Sequence, residues 1–307
     1  DAMIRMDLRE RLAQHPDDDA TAVRRRLRRR AKQWLPYFEY ALRGTDLLVV
    51  WNGFQTTKQA ALAAARRRGC KTAFLELGAI PQTLAVDPRG INFNNSLSGK
   101  PAEFFRAQPV DPARAEELLH STFAQRALRK AATPVPDYDE DMHRLPARFL
   151  LFAMQVYDDS QLLMFSPRFS TMSDAITYVH DELARYRERT GDDLRLVVKE
   201  HPSDYGRADY APLREALPDV IFLRRAPVQE LLKGAAAVLT INSSVGIEAL
   251  LHMRRVITLG DAFYNVPGLV RHLEAHEALA DVLAETLARP VDTELITRYL
   301  YFLRYRF

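Results

Sequence analysis

Residues 194–206 read LRLVVKEHPSDYG. Leu194, Leu196, Val197 and Val198 make a short, nearly continuous apolar run, the pattern of a strand covered on both faces. The run stops at Lys199-Glu200-His201-Pro202. Proline cannot donate to a central ladder, and it holds the residue before it in an extended conformation. A histidine is thereby fixed at the end of a buried strand. In open α/β sheets the carboxyl ends of the strands are where ligands bind.

Six more segments have the same character: DLLVVW (46–51), KTAFLE (71–76), RFLLFAMQ (148–155), DVIFL (219–223), AVLTI (237–241) and RVITLG (255–260). Helical patterns separate most of them. TTKQAALAAARRRG is an alanine-rich helix stopped by Gly69, and STMSDAITYVHDELARYRERTG runs from a Ser/Thr cap to Gly191. PVQELLKG and SSVGIEALLHM read as shorter helices. Strand–helix alternation predicts an α/β protein with parallel sheets. ATPVPDYDEDMHRLPA (132–147) is rich in Pro and Asp, has no apolar period and reads as a linker. The expected organisation is a Rossmann-like N-terminal domain over 1–145, a second Rossmann-like domain over 146–290, and a helix over 291–307 packing back on the N-terminal half. A cleft would lie between the domains. That architecture fits nucleotide-sugar transferases of the GT-B type, some epimerases and some binding proteins, so fold alone does not give function.

The 307 residues suffice for two domains, and 47% hydrophobic with 27% charged residues is ordinary for a soluble globular chain. No apolar run reaches the ~18 residues of a membrane span. DAMIRMDLRE at the start has no apolar signal core, so a cytoplasmic location is expected. The single cysteine, Cys70, excludes an intrachain disulfide and a cysteine zinc site, and it reads as a small buried residue. A net charge of +3 is too slight to argue for nucleic acid. The charge is uneven, however. VRRRLRRRAKQWL (23–35) is strongly basic, and ITRYLYFLRYRF at the C-terminus mixes arginine with aromatics. Such stretches are either solvated helix faces that also pack, or surfaces attracted to an anionic membrane or polymer.

Five strand ends carry candidate chemistry. Lys199 and His201 follow one strand, where an imidazole binds phosphate or protonates a leaving group. Asn242-Ser243-Ser244 precede a helix; their hydroxyls and free N–H groups form either an anion site or an ordinary N-cap, and Gly246 would let the backbone come close. Glu248, one turn on, reaches a ribose hydroxyl or solvent. After Gln155 come Asp158, Asp159 and Ser160, with a carboxylate for a sugar carbon or a turn as the alternatives. Glu76 precedes Gly78 in the other half of the chain, and Asn52-Gly53 reads as a strand-to-helix turn. No Walker A sequence, GxGxxG or HExxH occurs. The acidic runs at 17–19 and 137–141 sit in loops, so no metal is predicted.

The ordered set Trp51-Asn52-Gly53, Glu76-Leu77-Gly78 with Pro81, Asp87 to Asn92, Gln155 through Asp159-Ser160-Gln161, Lys199-Glu200-His201-Pro202, Asn242-Ser243-Ser244 with Glu248, and LGDAFYNVPGL (259–269) resembles bacterial capsule polysaccharide biosynthesis proteins. These include retaining β-Kdo transferases that use CMP-Kdo. The resemblance covers about residues 46–270. It implies a GT-B fold, a CMP-activated Kdo donor without metal, and a lipid-linked saccharide acceptor. Residue by residue it implies that Asp159 is the nucleophile, with Asp158 the alternative, and that Glu76 is the acid/base. His201 would contact the donor phosphate with Lys199, Asn242, Ser243 and Ser244, while Glu248 would hold ribose or base. Many relatives carry a second acid where this chain has Leu77.

Overall fold

The structure, a computed structural model, describes residues 1–120 and 140–307. The first half of the expected linker, 132–139, lies outside the described residues; Glu140–Arg144 forms a short 3-10 turn.

The C-terminal half is built on a six-stranded parallel sheet of order β6-β5-β4-β7-β8-β9. Its strands are β4 (Phe149–Ala153), β5 (Arg195–Lys199), β6 (Ile221–Leu223), β7 (Ala237–Thr240), β8 (Val256–Thr258) and β9 (Arg271–His272). Every residue of β4 and β7 is buried, as expected of strands with helices on both faces. The long helix Met172–Thr190 covers one face. It is capped by the Thr171 hydroxyl, which accepts the Asp174 N–H, and ends at Gly191 in the left-handed region. Leading from β4, the chain first builds outwards through β5 and β6, then returns to β7 on the other side of β4. The order of strands therefore reverses between β4 and β7, and the crevice outside their carboxyl ends is the topological switch point.

The N-terminal half carries a separate, smaller sheet among the described residues. It has three strands, β1 (Leu47–Trp51), β2 (Lys71–Leu77) and β3 (Leu84–Asp87). Only β1 and β2 are parallel; β3 returns antiparallel to β2. The turn between them closes with the Gly78 N–H donating to the Thr83 carbonyl at 2.8 Å. A Cβ on Gly78 would meet the Thr83 hydroxyl at 1.9 Å, so this position needs glycine for close approach. One face of the sheet holds Leu48 against Ala64 and Ala65 of α3 (Thr56–Arg68), and Phe74 against Phe54 and Ile91. The opposite face leaves Leu47, Val49, Trp51, Leu77, Leu84 and Val86 exposed.

Packing does not divide at residue 145. Ile80, Leu97, Phe105 and Leu118 lie in the same buried cluster as Phe149, Leu151, Val197 and Val238. The C-terminal helix Thr293–Tyr305 joins that cluster through Leu295, Tyr299 and Phe302. It packs on α4 (Ala102–Arg106), where Phe105 meets Tyr299 edge-on at 4.8 Å. Arg298 donates to the carbonyls of Arg106 and Gln108, both at 3.0 Å. A second tie is α1 (Arg5–Gln14). Its Asp7 carboxylate accepts the Thr56 N–H, its Gln14 amide donates to Asp158, and Met6, at the same helix, clusters with Phe54, Ile91 and Phe165. Cys70 is buried.

Candidate active site at the switch point

A cleft of about 840 Å³ opens between the two halves. Its N-terminal wall runs from Glu76 through the 78–83 turn to Leu84, and its C-terminal wall carries Asp159, Asn242, Ser244 and Glu248. Of the residues singled out from sequence, these five meet on one cavity. Lys199, His201 and Ser243 do not line it.

Asp159 is fixed by the helix that it caps. It is the N-cap of the short helix Ser160–Phe165 and accepts the Gln161 N–H at 2.8 Å. Burial pushes its carboxyl above the usual carboxylate range. The Gln161 N–H, the Gln155 amide and the neighbouring His201 pull the other way, while Asp158 adds to the rise. Asp158 faces elsewhere: it pairs with Arg207 at 2.5 Å, accepts from Gln14 at 2.8 Å, and does not line the cleft. The geometry thus separates two adjacent carboxylates that the sequence left as alternatives.

The carbonyl and amide ends of Gln155 are locked to Asn242. Gln155 Nε2 donates to Asn242 Oδ1 at 2.9 Å, and the Asn242 N–H donates to Gln155 Oε1 at 3.1 Å. Asn242 Nδ2 in turn donates towards the carbonyls of Gln161 at 3.0 Å and of Phe165 and Asp261 at 3.2 Å. Both side chains are buried. Asn242 is therefore saturated: it clamps the helix behind Asp159 instead of presenting its amide to a donor. Gln155 was quoted in the sequence pattern without a role; only the three-dimensional pairing shows what it holds.

Across the cleft, Glu76 Oε2 accepts from Asn52 Nδ2 at 3.0 Å, and its Oε1 accepts the Leu77 N–H at 2.9 Å. Asn52 sits at φ 65°, the left-handed region that asparagine tolerates better than most residues. The expected strand-to-helix turn is present and also orients a carboxylate. Asp87 is buried and accepts N–H bonds from Arg89, Gly90 and Ser96, which shapes the loop below Glu76.

At the end of β5, Pro202 opens a 3-10 turn and His201 caps it, with Nδ1 accepting the Ser203 N–H at 3.1 Å. That acceptor role fixes the neutral tautomer with its proton on Nε2. Burial lowers the imidazole pKa, Asp204 opposes this, Lys199 adds to it and Asp159 opposes it. Lys199 is buried and donates to the carbonyls of Glu200 at 2.6 Å and Arg224 at 3.0 Å, so its ammonium ties the strand end instead of facing the cleft.

After β7, the Ser243 hydroxyl accepts the Val245 N–H at 3.2 Å, which is a local cap of the helix Val245–Leu251. Ser244, the N-cap residue, makes no side-chain cap bond, is exposed and lines the cleft. Gly246 is required for packing: a Cβ there would stand 2.5 Å from the hydroxyl of buried Tyr264, which donates to the Ser243 carbonyl. The expectation that Gly246 opens the backbone to a ligand is corrected by that contact. Glu248 Oε2 accepts from Gln229 Nε2 at 2.9 Å, and the Gln229 carbonyl oxygen lies 2.6 Å from His252 Nε2. Among the described residues the cleft lining has four side-chain carboxylates, Glu76, Asp87, Asp159 and Glu248, and no Lys or Arg.

Two α/β units, facing across a cleft at the switch point of the larger sheet, define the GT-B class. The chain belongs to the capsule polysaccharide biosynthesis protein family, which matches residues 135–300. It is 33% identical to protein FixF of Sinorhizobium fredii over 73% of this chain and 50% of that protein. To the capsule polysaccharide export protein KpsS of Escherichia coli it is 32% identical, over 44% of this chain and 36% of that one. The chain thus spans about half the length, or less, of these relatives. Among solved structures, the β-Kdo 2,4 transferase structure of Thermosulfurimonas dismutans KpsC shares the fold, with a TM-score of 0.53 at 21% identity over 84% of this chain and 79% of that one.

Proposed function

We propose that this chain carries the catalytic unit of a glycosyltransferase that moves Kdo from CMP-Kdo to a lipid-linked glycan in capsule synthesis, with retention of configuration. The observation that carries the reading is the pair of oriented carboxylates, Asp159 and Glu76, brought from opposite halves of the chain onto one cleft. In a double displacement, Asp159 Oδ attacks the anomeric carbon of Kdo and CMP departs. Glu76 then takes the proton of the acceptor hydroxyl as that oxygen displaces Asp159. Partial desolvation leaves the Asp159 carboxylate poorly solvated and hence reactive, while Gln155 and the Gln161 N–H aim it.

With no Lys or Arg among the described lining residues, the charge on departing CMP would be met by hydrogen-bond donors: the Ser244 hydroxyl and, on closure, the Nε2–H of His201. Glu248 is an acceptor suited to ribose hydroxyls. Among the described residues no group of three or more metal-ligating side chains is assembled. Exposed Leu77 and Leu84 line the cleft mouth and continue onto the open face of the N-terminal sheet, an apolar path that suits the lipid of an acceptor. We place the reaction on the cytoplasmic side of the inner membrane. Among the described residues no helix is long and apolar enough to cross a membrane.

The test is release of CMP from CMP-Kdo, with and without a Kdo-lipid acceptor. Acceptor-dependent release that disappears in Asp159→Ala and Glu76→Gln supports the reading. A larger thermal stabilisation by UDP than by CMP, together with turnover of a UDP-sugar, would replace the donor. The relative named as an export protein motivates a second reading, a non-catalytic assembly protein, for which nucleotide binding without transfer or donor hydrolysis would speak.

A further inference from the structure

The basic stretch noted in the sequence forms the first half of α2 (Ala20–Ala41), and nothing in the cleft makes use of it. Val23, Leu27 and Ala31 face inward onto a cluster with Ile4. The other side of the helix exposes Arg24, Arg25, Arg26, Arg28, Arg29, Arg30 and Lys32. Arg28 pairs with Asp1, and the only acid in the helix, Glu39, pairs with Arg67. Among the described residues the remaining cations of this face have no acidic partner. With seven cations and one acid, α2 carries twice the net charge of the whole chain, so the rest of the protein is on balance acidic. The helix would not hold that charge for stability, since like charges at these spacings repel.

An aromatic end follows the basic face. Arg26, Arg29 and Arg30 share an open groove with Gln33, Trp34 and Tyr37. Trp34 sets its ring edge-on to Tyr37 at 5.5 Å and stacked on Phe38 at 5.7 Å. Tyr37 and Tyr40 are 57% and 68% exposed, among the most exposed large apolar side chains of the protein. Guanidinium groups beside amphipathic rings, on a face about 33 Å long at 1.5 Å per residue, match a flat anionic surface with a boundary between water and hydrocarbon.

We propose that the outer face of α2 docks the protein on an anionic phospholipid bilayer, with Arg26, Arg29 and Arg30 at the phosphates and Trp34, Tyr37 and Tyr40 at the interface. A soluble polyanion would satisfy the arginines but leave the rings without a role. This docking is independent of the transfer chemistry, because no residue of α2 lines the cleft.

The experiment is co-sedimentation of the full chain with vesicles of phosphatidylcholine and phosphatidylglycerol (3:1) against pure phosphatidylcholine, with no donor or glycan present. The wild type should sediment with the anionic vesicles only, and less as salt rises. Arg26→Glu/Arg29→Glu/Arg30→Glu should lose at least tenfold in binding. Trp34→Ser/Tyr37→Ser should lose severalfold, with circular dichroism unchanged in both. Unchanged binding in the arginine variant would overturn the proposal. So would wild-type protein that ignores anionic vesicles, or that binds dextran sulfate more tightly than vesicles at equal anion concentration. Activity on a detergent-dispersed acceptor is read separately, so loss of docking and loss of transfer are told apart.

Discussion

Replacing Asn242 probes the clamp behind Asp159. In Asn242→Ala, Gln155 Nε2 loses one acceptor, and the carbonyls of Gln161, Phe165 and Asp261 lose their shared donor. The Phe165 carbonyl keeps the Asp261 N–H at 2.8 Å, so the clear losses are the donor to the Asp261 carbonyl and one acceptor of Gln155 Nε2. At about 1–3 kcal/mol for each buried group left unpaired, with partial relaxation, the cost should be about 2–4 kcal/mol. Asn242→Asp keeps the shape but turns an oxygen towards three carbonyl oxygens, so it should cost at least as much. Urea unfolding measures the stability of both variants. Turnover, measured where they remain folded, should fall further than KM changes, because the Ser160–Phe165 helix that Asp159 caps is no longer fixed. A loss below about 1 kcal/mol in both variants would refute the argument that Asn242 is saturated and holds that helix.

Asp159→Asn should abolish transfer and yet stabilise the fold at neutral pH. Burial raises the folded-state pKa of this carboxyl, so the folded protein holds the proton more tightly than the unfolded chain does. Stability is then lost as pH rises from the ordinary carboxylate value through the raised one, and the amide removes that loss; parallel thermal melts of wild type and variant across pH 4–8 check it. His201 has a lowered pKa, so its neutral form should persist below the ordinary imidazole range. Its contribution to stability should fall as pH drops through that lowered value, and kcat/KM with it, because protonating Nδ1 breaks the bond from the Ser203 N–H that aims the ring; a pH–rate profile of His201→Gln should lack this acid limb. Gly246→Ala forces a methyl group against the Tyr264 ring and hydroxyl, and should cost about 1–3 kcal/mol in chemical unfolding with little change in KM.

Much of the architecture was legible because buried parallel strands are short apolar runs. All seven runs picked from the sequence contain strands, each slightly shorter than its apolar stretch except β2, which extends one residue beyond it to Leu77. The two missed strands, β3 and β9, are four and two residues long and carry polar ends, too short to show a period. The antiparallel return of β3 depends on the Gly78–Thr83 contact, which composition does not announce. The packing of Phe105 and Leu118 into the C-terminal core was also hidden, since a division at the Pro- and Asp-rich stretch follows local composition while the core follows shape.

Strand ends were legible as places for chemistry; what each side chain does there was less so. Sequence put Glu76, Asp159, Ser244 and Glu248 at strand ends, and the fold brings them to one cleft. It could not separate Asp158 from Asp159, because their difference is the position of Arg207 and Gln14. Nor could it tell that Lys199 and Asn242 bond to backbone and to Gln155, since a polar residue beyond a strand reads the same whether it meets a ligand or a carbonyl.

The central claim is that Asp159 bonds covalently to the sugar. Intact-protein mass spectrometry after incubation with CMP-Kdo tests it directly, with wild type and Asp159→Ala side by side. The account predicts added mass of one Kdo residue on the wild type and none on the variant. The same adduct on Asp159→Ala would contradict it and place the nucleophile elsewhere.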